Sequence, residues 1–122
     1  MSEFGMMGVD WEERVDFDRM RRERLQKAKA AMAKADVDAL FIFALEDVRY
    51  LTGYRNHLGP VTTLGGAVVV LPRGGDPILC TGDYKHVLAR MPWMHPDNVL
   101  GRPVIRTEGG TTAWAEKIKA KI

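Results

Sequence analysis

A run of polar side chains able to bind a ligand follows Gly53. Tyr54, Arg55 and His57 come directly after the sequence Tyr-Leu-Thr-Gly. An arginine offers a planar fork that matches a carboxylate, a tyrosine a flat ring with a hydroxyl, and a histidine a group that titrates near neutral pH. None of these groups can activate water or form a covalent adduct unaided. We therefore expect exposed residues that recognise a ligand here, without a catalyst.

The sequence contains no recognisable motif for a metal site or for a catalytic nucleophile. A metal site needs about three or four convergent ligands, and the three histidines, His57, His86 and His95, form no close pair and no HExxH motif. Cys80 is the single cysteine and lies in an apolar strand pattern, where a buried thiol is usually inert. The sequence predicts no metal ligand and no catalytic residue in this chain.

Paired carboxylates and glycine-rich turns are weaker signals. Glu46 and Asp47 are adjacent on a predicted helix, so their side chains diverge, and Asp47 is better interpreted as a first-turn acid. The sequence EGGTT, residues 108–112, leads into a helix start, where anions bind well. Neither the Walker A spacing nor GxGxxG occurs, however, so turn glycines are the preferred interpretation.

Length and composition place further limits on the class of protein. The chain has 122 residues, of which 46% are hydrophobic and 28% charged, which is typical of one ordinary globular domain. No apolar run approaches the roughly 18 residues that a membrane span requires. One cysteine excludes an internal disulfide, and no export signal is present, so we expect a cytoplasmic protein.

Positive charge is concentrated in residues 19–34, although the net charge is only +2. Such a basic helix can bind phosphate groups, or it can be the solvated face of an ordinary helix, which we favour. No aromatic residue interrupts the basic run, so there is no platform for base stacking, and we expect no nucleic-acid partner.

Hydrophobic periodicity predicts an α/β fold with a mixed sheet flanked by helices. A helix is expected from about Asp18 to Ala35, with an N-terminal cap from Asp16 or Asp18. The apolar run Asp38–Phe43 has no alternation and is expected to be a strand buried on both faces. The remaining elements are a short helix at Leu45–Gly53, strands at Leu64–Pro72 and Pro77–Thr81, a helix at Tyr84–Met91, a strand at Arg102–Thr107 and a last helix capped by Thr111 or Thr112.

The loop Pro92–Asn98 presents two large side chains between prolines. Trp93 and Met94 are candidate interface residues, since a tryptophan in a loop often marks a contact surface. They can equally fold back on the core, and the sequence leaves both possibilities open.

From Arg21 to Tyr54 the sequence resembles the N-terminal domain of the creatinase, prolidase and aminopeptidase P family of pita-bread metallopeptidases. The shared pattern is a helix containing Arg, Leu and Met, then a DAL strand at Asp38–Leu40, then a segment that ends in Tyr-Leu-Thr-Gly-aromatic. Asp47 stands where that family usually has asparagine. The hairpin at residues 65–81 also resembles the family's following strand pair, and the resemblance spans about Phe17 to Val87.

The resemblance implies a ribonuclease H-like N-terminal domain that is itself not catalytic. A C-terminal catalytic domain, absent from this chain, would hold two divalent metal ions, Mn, Co or Zn, and hydrolyse an Xaa-Pro peptide; relatives act on creatine or a sulfonium compound. The family also implies a homodimer, in which Tyr54, Arg55 and His57 lie at the mouth of a neighbouring active site. Arg55 would then be the residue that meets a substrate carboxylate.

Both ends of the chain carry expectations of their own. Residues 1–15 are predicted to be a flexible tail, in which Glu3-Phe4 is typical of a cloning scar, and residues 16–122 are predicted to be the domain. The last helix runs to Ile122 without a stop signal, so we expect a piece of a longer protein.

An alternative hypothesis is a free-standing module that binds a small anion or a nucleotide. It would use the EGGTT helix start together with the arginines of the first helix.

Overall fold

The computed structural model of the chain describes residues 14–55, 64–102 and 108–122. Within them, no helix is both long and apolar enough to cross a membrane. The elements that we number are α1 (Phe17–Lys34), β1 (Ala39–Ala44), α2 (Leu45–Thr52), β2 (Leu64–Pro72), β3 (Ile78–Thr81), α3 (Tyr84–Arg90), a 3-10 turn (Pro96–Asn98), β4 (Val99–Leu100) and α4 (Gly110–Lys119).

The sheet of the described residues is mixed, as the sequence predicts. Its strand order is β1-β2-β3-β4. The first three strands pair antiparallel, with Val69 opposite Leu79, whereas β3 and β4 run parallel. The connection at Arg73–Asp76 closes the predicted hairpin between β2 and β3. The expected α/β class and the order of the elements are therefore confirmed.

The first helix is formed by its cap and its apolar stripe. The carboxylate of Asp16 accepts a hydrogen bond of 2.8 Å from the backbone N–H of Arg19, which satisfies one of the free donors at the helix start. Met32 is buried, and Leu25 and Ala28 pack against the same core. This apolar stripe packs α1 on the sheet, and Arg21 and Arg24 add cation–π contacts with Trp93 and Tyr50.

The two faces of the sheet are covered unequally. On one face, Val69, Leu71 and Leu79 form a core with residues of α1, α2 and α3. On the other face, Val70 and Ile78 pack with Cys80 and with Ile118 of α4. Alternate side chains of β2 and β3 thus point into two separate cores, since successive residues of a strand face opposite ways. Three helices share one face, and α4 lies on the other.

The first strand is not buried on both faces, and that prediction is wrong. Phe41 and Phe43 are 50% and 52% exposed, whereas Leu40 and Ile42 pack toward the core of α1, α2 and α3. Phe41 and Phe43 stack at a centroid distance of 6.5 Å, and Trp114 of α4 meets Phe41 edge-on at 6.4 Å. The reason is that α4 covers only part of its face of the sheet, and β1 is at the margin of the described strands.

Arg73, in the hairpin turn, holds the connection between α1 and β1. Its Nε donates to the carbonyl of Val37 at 2.8 Å, and its terminal nitrogen lies 3.1 Å from carboxylate oxygens of both Asp36 and Asp38. Asp36 has a φ of 54°, a left-handed conformation that costs a non-glycine residue about 1–2 kcal/mol. The arginine clasp helps to hold the backbone in this strained turn.

The expected strand Arg102–Thr107 falls mostly on residues 103–107, which lie outside the described residues, so it stays a prediction. The described strand β4 at Val99–Leu100 was not predicted. The last helix starts at Gly110 after Gly109, whose φ is 75°, and no side chain caps it. The expected threonine cap is wrong, because the glycine turn lets the helix begin before Thr111.

Leu79→Ala should destabilise the fold strongly. Leu79 is fully buried where β3 meets the core of α1, α2 and α3, and deleting such a side chain costs about 2–5 kcal/mol. Urea denaturation followed by circular dichroism measures the loss. The matched control is Leu88→Ala on α3, whose side chain is 43% exposed; equal losses in the two variants would contradict this assignment of the core.

Candidate functional site

The polar segment after α2 begins with a sharp change of backbone direction. Gly53 has a φ of 75° and is the C-cap of α2, and its N–H donates to the carbonyl of Arg49 at 2.8 Å. This left-handed cap is the one that the sequence predicts. The turn directs the next residue, Tyr54, back into the domain and leaves Arg55 exposed.

Tyr54 is buried, which corrects the expectation that all the residues after Gly53 are exposed. Its side chain is 2% exposed. The hydroxyl donates to the carboxylate of Asp83 at 3.0 Å and lies 3.2 Å from the hydroxyl of Thr81. Since a buried tyrosine hydroxyl needs a polar partner, the pair at the end of β3 is what draws the ring inward.

Thr81 and Asp83 complete a compact hydrogen-bonded group with Tyr54. The Thr81 hydroxyl donates to Asp83 at 2.5 Å and lies 3.2 Å from the carbonyl of Gly66 in β2. Burial raises the pKa of Tyr54, and the neighbouring Asp83 raises it further, whereas the hydrogen bond with Thr81 acts in the opposite direction. The phenol is therefore an anchor that stays protonated at neutral pH.

Trp93 and Arg21 cover the turn at Gly53 from outside. The Arg21 guanidinium lies 4.0 Å from the centroid of the Trp93 ring, a cation–π distance. The indole N–H of Trp93 donates to the carbonyl of Thr52 at 2.8 Å. A Cβ at Gly53 would lie 3.3 Å from the Trp93 ring. The glycine thus serves both the left-handed turn and the close approach of the indole.

Of the two interface candidates, Met94 folds back on the core and Trp93 stays partly exposed. Met94 is 8% exposed and belongs to the core of α1, α2 and α3, whereas Trp93 is 40% exposed. The sequence left open whether Met94 lies at an interface or folds back on the core, and the structure shows that it folds back on the core.

A cleft of about 400 Å³ opens beside this turn, between α1, the end of α2 and α3. Val87 and Met91 contribute buried apolar surface, and three arginines from different elements contribute positive charge. The residues that line it are Phe17, Arg21, Gly53, Tyr54, Arg55, His86, Val87, Arg90, Met91 and Trp93. The arrangement can hold and orient an anionic ligand.

The predicted trio of binding residues is brought together only in part. Tyr54 and Arg55 line the same cleft, one as a buried wall and the other at the rim. His57 lies outside the described residues. That Tyr54, Arg55 and His57 together form one binding group therefore stays a prediction.

The described residues contain neither an exposed cysteine nor a group of metal ligands. Burial raises the pKa of the Cys80 thiol, and contact with Trp114 offsets part of that rise. No three histidine, cysteine, aspartate or glutamate side chains of the described ranges converge in a way that would hold a metal ion.

Sequence reasoning missed the partners that the fold brings to the turn. Thr81 and Asp83 are about thirty residues from Tyr54 along the chain, and Arg90 is farther still. The one local signal was the spacing of His86 and Arg90, since residues four apart share a face of a helix. No sequence pattern around Arg21 or Trp93 predicts the contact between these two side chains.

The fold and the cleft define a small α/β domain that offers a binding surface and an anchored loop. Comparison with protein-family models gives the family itself. The model of the Creatinase/Prolidase N-terminal domain matches residues 24–121, so the chain belongs to that family. Comparisons with curated proteins and with solved structures gave no significant match.

Gly53→Ala should destabilise the domain by about 1–2 kcal/mol, since alanine is strained at positive φ. The new methyl group would also press on Trp93, so the indole fluorescence should shift. Gly74→Ala is the matched control, because a Cβ there meets no atom within 4 Å. An equal melting temperature for the two variants would contradict this role of the turn.

Tyr54→Phe should cost about 1–3 kcal/mol of unfolding free energy, because it leaves buried polar partners without the hydroxyl. Tyr50→Phe, on a ring that is 40% exposed, is the control and should change little.

The same pair of variants tests the pKa of Tyr54. The folded-state pKa lies above the ordinary value of 10.0, so the unfolded chain loses this proton first as the pH rises. The contribution of Tyr54 to stability is therefore complete below about pH 10 and falls as the pH rises toward the folded pKa. Denaturation curves from pH 8 to 11 should show less loss for Tyr54→Phe than for the parent chain; an identical slope would contradict the raised pKa.

Proposed function

We propose that the chain acts as the non-catalytic N-terminal domain of a creatinase/prolidase-type metallohydrolase, similar to an Xaa-Pro peptidase. In this role it contributes dimer contacts and substrate-side residues to a catalytic domain that is not in this chain. The observation that carries the proposal is the family match over residues 24–121. The proposed place of action is the cytoplasm.

The segment after Gly53 supports the substrate-side part of the proposal. Tyr54 is tied to β3 through Thr81 and Asp83, so the backbone at Arg55 is held in place while its side chain stays exposed. An arginine on such a fixed base can meet a substrate carboxylate at a small entropic cost. Tyr54 would act as the anchor of this loop, with His57 as a further substrate-side residue.

The half-covered face of the sheet supports the contact part of the proposal. Phe41 and Phe43 are exposed and stack on each other, Phe41 also meets Trp114, and Ile122 lines the same apolar groove as Phe41. An exposed apolar patch of this kind is typical of interaction surfaces. We assign this patch to the contact with the catalytic domain, and Trp93 to the dimer contact.

Metal chemistry would reside entirely in the catalytic domain. That domain would hold two divalent ions, Mn, Co or Zn, and these would supply the chemistry for hydrolysis of a small Xaa-Pro peptide. A creatine-like substrate would be hydrolysed in the same kind of pocket without metals. The described residues of this chain offer no group of ligands that fits such ions, so no step of the proposal passes through a metal held here.

The alternative of a single anion site built from the EGGTT start and the α1 arginines meets a geometric obstacle. Helix α4 packs on one face of the sheet through Trp114 and Ile118, whereas α1 packs on the other through Met32. This separation weighs against one site that combines the two features.

The intact mass of the natural protein, measured in its source cell with an antibody against this chain, tests the proposal first. A band several times heavier than 13.7 kDa is expected. The isolated chain should hydrolyse no Xaa-Pro dipeptide, with or without added Mn²⁺, Co²⁺ or Zn²⁺. A band at 13.7 kDa, or metal-dependent turnover by the pure chain, would overturn the proposal.

Arg55→Gln in the full-length protein tests the substrate-side role. Losing a charge-assisted hydrogen bond worth about 1.5–3 kcal/mol should raise KM about tenfold or more for a substrate with a free carboxylate. Arg22→Gln, an exposed arginine that lines a different groove, is the matched control and should leave KM unchanged. An unchanged KM for Arg55→Gln would remove Arg55 from the substrate side.

A further inference from the structure

A groove of about 510 Å³ lies between the start of α1 and the exposed face of α2, and we call it the Tyr50 groove. Val15 and Tyr50 give it apolar surface, and their side chains are 39% and 40% exposed. The residues that line it are Val15, Phe17, Met20, Arg24, Glu46, Arg49, Tyr50, Gly53 and Arg55. The apolar surface of the groove is therefore open to another group.

Positive charge dominates the Tyr50 groove. Three arginines line it, and Glu46 is the one acid among its described lining residues. The salt bridges within the described parts of the chain involve neither Arg24 nor Arg49. The guanidinium of Arg24 instead lies over the Tyr50 ring, 4.9 Å from its centroid. The groove thus has room for carboxylates beside both Arg24 and Arg49.

An acidic segment of the chain leads directly into this groove. The described residues begin at Arg14, which precedes Val15 in the groove wall. Residues 10–13, which lie outside the described residues, read Asp-Trp-Glu-Glu and carry three carboxylates and an indole. Their charge is opposite to that of the groove, and their indole suits its apolar surface.

The dipole of α1 does not account for these acids. Asp16 caps the helix and Asp18 lies in its first turn, where negative charge is stabilised. This effect fades within about one turn, whereas residues 10–13 precede the cap by three residues or more. The arginines of the Tyr50 groove are a nearby partner of the right charge.

The length of the segment permits the contact. Four residues extend at most about 14 Å, and Arg24 lies about 10 Å along the helix axis from Phe17 at the start of α1. A side chain on a helix also leans toward the N-terminus, which shortens the gap. Because the segment is attached to the groove wall, its effective concentration there is high, and weak exposed contacts are sufficient to hold it.

We propose that residues 10–13 bind across the Tyr50 groove of their own chain, with their carboxylates on Arg24 and Arg49. The indole of Trp11 rests on the exposed apolar surface around Tyr50. For these four residues, a bound segment replaces the flexible tail that the sequence predicts.

The inference goes beyond the proposed function, because it concerns a contact within one chain and assigns no substrate to the groove. It also has a consequence for recognition. An acidic partner can occupy the Tyr50 groove only by displacing residues 10–13, so the segment would act as a built-in competitor.

Fluorine NMR on the 122-residue chain labelled with fluorotryptophan tests the contact. The chain has three tryptophans, and Trp11→Phe assigns the Trp11 signal by its disappearance. In dilute buffer this signal should differ from that of a synthetic peptide of residues 8–14. Raising the salt concentration to about 0.5 M should move it toward the peptide value, because exposed ion pairs are screened.

Variants of the groove then locate the contact. Arg24→Gln and Arg49→Gln should each lower the ratio of bound to free segment about twofold to fivefold, the loss expected for one exposed ion pair. Arg49→Lys should retain most of the binding, since it keeps the charge. Arg22→Gln is the matched control, because this exposed arginine of α1 lines another groove, and it should leave the Trp11 signal in place. Circular dichroism establishes that each variant is folded.

A double-mutant cycle connects the segment to the groove. Glu12→Gln with Glu13→Gln should release the segment, as should Arg24→Gln with Arg49→Gln. All four changes together should add little to either pair, because the effects of groups that contact each other are not additive.

Four results would overturn the inference. A Trp11 signal equal to that of the peptide in dilute buffer would mean that the segment is unbound. An equal loss with Arg22→Gln would mean diffuse attraction to α1, and a fully additive cycle would mean that the segment and the arginines act independently. A signal that changes with protein concentration would place the segment on a second copy of the chain. All of these readouts come from the isolated chain, so they are independent of the fate of the proposed function.

Discussion

The hydrogen bonds of Tyr54 connect parts of the chain that are far apart in sequence. The tyrosine follows α2, whereas its partners Thr81 and Asp83 lie at the junction of β3 and α3. The link fixes the exit of α2 relative to the start of α3. Two walls of the cleft beside Gly53 belong to these same elements, so this buried contact helps to fix how far apart they lie.

The buried polar group also limits which substitutions the domain can accept. Tyr54 and Thr81 are each almost fully buried, and a buried polar atom is costly when its partner is removed. Replacing all members together by apolar residues would avoid that penalty, whereas changing one member leaves the others unsatisfied. The group is therefore expected to change as a unit or not at all.

Local patterns were sufficient for most of the fold. The stripe on α1, the left-handed cap at Gly53 and the hairpin turn at Arg73–Asp76 each follow from a few neighbouring residues. The burial of β1 did not follow, because the run Ala39–Ala44 reads the same whether one or both faces are covered. Whether a helix covers a strand depends on distant segments, in this case on the position of α4.

From the sequence, only the polar segment directly after Gly53 could be identified as part of the candidate site. The sequence draws attention to Arg55, since it follows a glycine stop, and the structure leaves its side chain exposed. The inward rotation of Tyr54 depends on Thr81 and Asp83, and the approach of Trp93 to Arg21 depends on how the loop after α3 returns across α1. Contacts between residues so far apart along the chain leave no trace in local periodicity.

The two described tryptophans lie on opposite faces of the sheet. The indole N–H of Trp93 donates a hydrogen bond to Thr52 in the last turn of α2, whereas Trp114 packs with the smaller core around Cys80. Intrinsic fluorescence therefore contains a separate optical signal from each layer of the domain. In chains that retain one tryptophan at a time, the emission would show whether the layer with three helices and the layer with one helix melt in a single step.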